Sequence, residues 1–155
     1  MYRRILVPVD GSAASSQGLD EAIDLASHLR ARIQLVHVIE PIIVMPAEAM
    51  AGAVVALTEG VRAAGAELLE ECGKKVTKAG VEVDPELIET LAGSVGEYIV
   101  KKAEEAKSDL IVCGTHGRRG FRRMLMGSDA EYIVRRASVP VLLVRHRETT
   151  GGESA

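Results

Sequence analysis

Five short runs of branched aliphatic residues, separated by stretches in which apolar residues recur every three to four positions, limit what this chain of 155 residues can become. Arg3 to Val9, Arg32 to Ile39, Val81 to Leu91, Asp109 to Cys113 and Val139 to Val144 read as strands. Between them, Leu19, Ala22, Ile23, Ala26 and Leu29 fall at helical spacing after a serine-rich start suited to capping. Thr58 to Lys78 reads as a long helix, with Val61, Ala64, Leu68, Leu69, Cys72 and Val76 along one side and Gly80 as its stop. Val95, Tyr98, Ile99 and Ala103 mark a third helix, and Ser128 to Ala137 a fourth. Strands that alternate with helices in this way are brought back parallel by each crossover. The expected fold is therefore an α/β domain with a mainly parallel sheet.

The core of such a sheet must come from small and branched residues. Aromatic residues make up only 3% of the chain, with no Trp and Phe121 as the one phenylalanine, so Val, Ile, Leu and Ala have to fill it. That suits strands covered on both faces. A hydrophobic share of 47% beside 26% charged residues excludes a disordered chain. Met50 to Leu57 is the longest apolar stretch and falls far short of a membrane span, so no membrane insertion is expected. Ile5 to Val9 is too short for a signal-peptide core. Cys72 and Cys113 form no CxxC pair, and a reduced, cytoplasmic setting is the simplest reading. A single domain is expected over residues 1–147. Residues 40–57, with Pro41 and Pro46, form an insertion or flap over the sheet's end, and residues 148–155 a flexible tail.

Between Gly114 and Ser128 the chain reads GTHGRRGFRRMLMGS. Glycines at 114, 117 and 127 let backbone N–H groups approach a ligand with no Cβ in the way. Ser128 stands where a helix begins, with a hydroxyl and the helix's positive end both available to an anion. Gly114 to Arg147 carries eight arginines against two acids, in a chain whose net charge is −3. One basic loop on an acidic protein suits a small anionic ligand better than a nucleic acid backbone. In open α/β sheets, ligands sit beyond the carboxyl ends of the strands where the strand order reverses. With the order 3-2-1-4-5, the Asp10-Gly11-Ser12 loop after the first strand and the glycine-rich loop after the fourth face each other across that point.

Gly114-x2-Gly117-x9-Gly127-Ser128 resembles the nucleotide motif of the ATP-binding branch of the universal stress protein family. Ile5-Leu-Val-Pro-Val-Asp-Gly-Ser12, Leu35-Val-His-Val38 and Ser138-Val-Pro-Val-Leu-Leu-Val144 are similar to that family's opening, second strand and close, in the same order. The resemblance runs from Tyr2 to about His146. It implies a Rossmann-like, adenine nucleotide alpha-hydrolase-like, three-layer fold that binds ATP, with Mg²⁺, in the cytoplasm and works as a homodimer. By position it implies that Val9 and Asp10 lie by the adenosine, with Asp10 near the ribose, and that Val38 meets adenine through its backbone. Gly114, Gly117, Gly127 and Ser128 would surround the phosphates. Asp129 departs from the pattern, where an apolar or small hydroxyl residue is commoner. A carboxylate there would either repel the phosphates or help hold the metal.

Other residues carry more than one reading. Asp10 suits helix capping as well as ribose contact. Among Arg118, Arg119, Arg122 and Arg123, one or two are expected at the phosphates and the rest on a solvated face. Arg118, His116 and Asp129 are candidate phosphate contacts, and His37 reads as a satisfied core histidine. Val139 to Val144 reads as an apolar edge open to a second copy, giving a dimer or a higher oligomer. The GK[ST] ending of Walker A, the GxGxxG of dinucleotide enzymes and the first loop of ATP pyrophosphatases are absent. No catalytic arrangement follows from spacing, and no metal site built from protein side chains alone. The expected function is a nucleotide-responsive stress protein that meets unidentified protein partners and hydrolyses ATP slowly at most. The alternatives are an enzyme that cleaves ATP or transfers its phosphoryl or adenylyl group, and a stress interaction protein without nucleotide.

Overall fold

The computed structural model describes residues 1–40, 51–90, 92–115 and 126–145. Its elements are β1 (Arg4–Pro8), α1 (Ala13–Leu29), β2 (Arg32–Ile39), α2 (Ala51–Lys78), β3 (Val83–Glu89), α3 (Val95–Glu105), β4 (Leu110–Gly114), α4 (Ser128–Arg136) and β5 (Val141–Val144). The strands form one sheet in the order β3-β2-β1-β4-β5, and all four pairings are parallel. The order reverses between β1 and β4, which places the switch point where the sequence pattern requires it.

Strand periodicity divides the core into two. Ile5 and Val7 of β1, with Leu110 and Val112 of β4, pack against Leu19, Ala22, Ile23 and Ala26 of α1 and Leu69 and Val76 of α2. Leu6, Ile111 and Cys113 point the other way, onto Ile99 and Ala103 of α3 and Ile133 of α4. Successive residues thus face opposite helix layers. Both faces of the central strands need apolar side chains, which is why these runs show no polar alternation. Each fully buried Ile, Leu or Val contributes about 1.5–3 kcal/mol.

Helix ends follow local chemistry. Ser12 caps α1 by accepting from Ser15 N, and Ser94 caps α3 by accepting from Glu97 N. The start of α2 differs from the spacing argument: the helix begins at Ala51, not Thr58. Residues 51–57 of the segment read as a flap are therefore helical, while residues 41–50 lie outside the described residues. Val55 and Leu57 are exposed in this helical part, and neither marks the helix by burial. Alanine and leucine favour it by propensity alone. β3 is shorter than its apolar run and contains Pro85, which an edge strand tolerates. β5 starts two residues after Val139, following Pro140, whose carbonyl accepts from Ile111 N. Among the described residues, no helix is long and apolar enough to cross a membrane.

The sheet's amino end is tied by one carboxylate. Asp109 accepts from Arg3 N through both oxygens, at 3.1 and 2.8 Å, and from Arg4 N at 3.1 Å. Asp109→Ala removes all three of these hydrogen bonds at the β1–β4 seam. It is expected to lower stability by about 1–3 kcal/mol, seen as a lower urea midpoint with an unchanged slope.

Candidate functional site

At the carboxyl end of β1 the chain enters Val9-Asp10-Gly11-Ser12. The Asp10 carboxylate accepts from Ser12 N at 2.8 Å, closing an Asx turn. Gly11 takes φ +78°, a left-handed conformation that glycine adopts without strain. Ser12 Oγ accepts from Ser15 N at 3.1 Å, and Asp10 N donates to Ser15 Oγ at 3.2 Å. Ser12, not Asp10, is therefore the helix cap, and Asp10 shapes the turn before it. Val9 is buried, Asp10 is half-buried, and Val9 N donates to Val36 O at 2.8 Å, which ties the turn to β2. Half-buried Val38 lies near the carboxyl end of β2, on the far side of β1 from β4.

Beyond β4, the two loops meet through glycine. A Cβ at Gly114 would stand 2.6 Å from both C and O of Ala14, in the first turn of α1. A Cβ at Gly18 would stand 3.2 Å from Gly114 N. Backbone rests on backbone here, so the start of α1 and the end of β4 border one crevice. Thr115 is buried, and its N donates to Val144 O at 3.0 Å. Its carbonyl accepts from Gly127 N at 2.9 Å, so the glycine-rich loop returns to its own starting point. His116, Gly117, Arg118 and the arginines at 119, 122 and 123 lie outside the described residues.

Gly127 is the N-cap of α4, with φ −60° and ψ 152°, and Ser128 is the helix's first residue. Among the described residues, no side chain caps this first turn, in contrast to α1 and α3. The acids that could neutralise it are turned elsewhere. Asp129 Oδ1 accepts from Gly96 N of α3 at 2.9 Å, and Glu131 pairs with Arg135 at 2.8 Å. The first N–H groups of a helix and its positive dipole end suit an anion. Glycine at 127 is not demanded by its dihedral angles, which any residue can adopt. What glycine supplies is the missing cap.

Val9, Asp10, Gly114, Gly127 and Ser128 thus gather at the carboxyl ends of β1 and β4, with Val38 beside them on β2. Spacing arguments do not single out Ala14, Gly18 or Thr115. Gly18 carries the only signal, since glycine inside a helix costs about 1 kcal/mol and often marks a close approach. Among the described residues, no group of three or more His, Cys, Asp or Glu could hold a metal. A cavity of about 530 Å³ lies at the opposite end of the sheet, lined by Arg3, Arg4, Arg30 and Arg32. It borders the carboxyl end of α1, whose dipole opposes an anion. Burial pushes the Cys113 thiol, one residue before Gly114, up to about 11, so it stays protonated and is a poor nucleophile.

A family model described as the universal stress protein family matches residues 1–145. A universal stress protein of Methanocaldococcus jannaschii is 35% identical over 147 residues, covering 94% of this chain and 83% of the relative. The structure of the universal stress protein UspA from Lactobacillus plantarum matches with a TM-score of 0.80 at 25% identity, over 93% of this chain and 98% of that one. A universal stress protein family member from Arabidopsis thaliana, with AMP bound, shares the fold with a TM-score of 0.65 at 18% identity, over 98% and 97% of the two chains.

Gly114→Ala should cost about 1–3 kcal/mol, because the clash is with backbone that must move as a unit. Gly60→Ala on α2, where a Cβ meets nothing within 4 Å, should instead gain up to about 1 kcal/mol. Urea denaturation of the two variants checks both signs. Because the Cys113 thiol is raised from 9.0 to about 11, its contribution to stability is complete below pH 9 and is lost as pH rises toward 11. At pH 8 the native thiol should resist an alkylating reagent that modifies it readily in denaturant.

Proposed function

The chain belongs to the universal stress protein family, and from that premise we propose that it is a regulatory protein that binds ATP, with Mg²⁺, across the β1–β4 switch point. The observation that carries the proposal is the uncapped first turn of α4, set against the first turn of α1 through Gly114. Two helix amino ends converge on one crevice, and among the described residues the one at α4 has neither a capping side chain nor an unpaired acid. The AMP held by the Arabidopsis relative supports an adenine nucleotide as the ligand class.

In this reading Val9 lies by the adenosine, Val38 meets adenine through its backbone, and Asp10 turns its carboxylate toward the ribose. Gly114, Gly117, Gly127 and Ser128 surround the phosphates, with His116 and Arg118 reaching in from the loop. Asp129 is occupied with Gly96 N, so it acts by joining α4 to α3 rather than by repelling the ligand. Asp10 is the acid in the turn facing this crevice, with one oxygen on Ser12 N. Mg²⁺ is then held mainly by the triphosphate and water. No described residue is arranged as a general base, and turnover belongs below roughly 1 s⁻¹, the lower end of the enzymatic range. Bound ATP would bias the state that protein partners read, in a cytoplasmic setting that suits the free thiols of Cys72 and Cys113. The outer edge of β5 has no strand partner among the described residues, and Leu142 there is 36% exposed. A second copy pairing along that edge gives the dimer.

ATP at a hundred times its dissociation constant adds about 2.7 kcal/mol, a rise of several degrees in melting temperature. Gly127→Asp supplies the missing cap, so it should leave the ligand-free melting temperature equal or higher while abolishing the ATP shift. An unchanged ATP shift in this variant contradicts the site. Leu142→Arg is expected to yield a monomer by light scattering, and a wild-type monomer would contradict the edge pairing.

A further inference from the structure

We infer that His37 is a positioning residue for the adenosine side of the site, setting the Val9–Asp10 peptide before any ligand arrives. The inference rests on the nucleotide reading above and adds to it a residue that touches no ligand in that reading.

Three observations converge on this imidazole. His37 lies in β2 and is 7% exposed, yet its Nδ1 stands 2.7 Å from the Val9 carbonyl oxygen, one residue past the end of β1. A carbonyl only accepts, so Nδ1 carries the proton, and a neutral ring is the Nδ1–H tautomer. The ring is also wedged from behind by α2. A Cβ at Gly65 would stand 2.9 Å from His37 Cδ2 and 2.9 Å from Leu87 Cδ1, so helix backbone closes the space into which the ring could retreat.

The consequence lies in the peptide that follows. Holding the Val9 oxygen fixes the plane of the Val9–Asp10 peptide, and with it the direction of Asp10 N toward Ser15 Oγ at 3.2 Å. From there the Asx turn, the left-handed Gly11 and the Ser12 cap follow in sequence. A buried side-chain bond thus sets the loop that carries Asp10, and a preformed loop avoids an ordering cost on binding. Leucine could fill the same space but has no donor to offer. Asparagine is smaller, but its amide can present N–H near the place of Nδ1, whereas the amide of glutamine lies one carbon further out.

The test ranks His37→Asn, His37→Gln and His37→Leu by ATP affinity and by melting temperature. Positioning predicts that Leu and Gln weaken ATP binding about tenfold while Asn stays within about threefold of wild type. A packing role predicts the reverse order for Leu and Asn, because the apolar side chain fills the cavity better. Nitrogen NMR of the wild-type ring should show the proton on Nδ1 in the neutral form. A neutral Nε2–H ring, or His37→Leu binding ATP as tightly as wild type, overturns the inference. If the wild type binds no ATP, the nucleotide reading fails by itself. Amide exchange at Gly11 and Ser12 then decides the matter: faster in His37→Leu but not in His37→Asn supports positioning, and equal rates in the two overturn it.

Discussion

The contact on which the remaining structure depends is the backbone seam between the end of β4 and the first turn of α1. Gly114 rests against the Ala14 carbonyl so closely that a single methyl would collide with it at 2.6 Å, and Gly18 lets the same helix lie down on Gly114. This seam sets how near the first loop comes to the last strand-to-helix connection. It also aligns the amino end of α1 with that of α4 at the one place in the sheet where the strand order turns. Two glycines convert a general topological preference into a crevice with defined walls.

Electrostatics then separates the two ends of the sheet. At the carboxyl end, α1 is capped by its own serine, while α4 begins with a glycine and sends its nearest acid to α3. At the amino end, a cavity of about 530 Å³ gathers arginines around a helix carboxyl terminus. Helix polarity favours the carboxyl-end crevice, because a helix amino end turns N–H groups and a positive dipole toward phosphate. Asp129 is unusual in sequence and ordinary in structure: it is a strut between α3 and α4.

Much of this was legible in the residues. Runs of branched aliphatics marked the central strands, because strands buried on both faces tolerate little else. The more polar third strand was read by its place in the alternation, and the glycine spacing marked the ends of the loop. Ser128 was recognisable as a helix start, and His37 as a satisfied core residue. Three things were hidden for physical reasons. The early start of α2 at Ala51 was hidden because Val55 and Leu57 are exposed there and mark no inward stripe. The partner of Asp129 lies 33 residues away on another helix, beyond any local rule. The role of Ser12 in place of Asp10 turned on a two-residue offset that composition does not resolve.

The central claim is that an adenine nucleotide occupies the carboxyl ends of β1 and β4. Amide hydrogen exchange of the full chain, with and without ATP and Mg²⁺, tests it most directly. The account predicts slowed exchange at Gly11 to Ser15, at Gly114 and Thr115, and at Ser128 to Ala130, with no change at Arg30 to Arg32 or Gly80 to Glu82. Protection confined to the arginine-lined amino end, or none anywhere at saturating ATP, would contradict it.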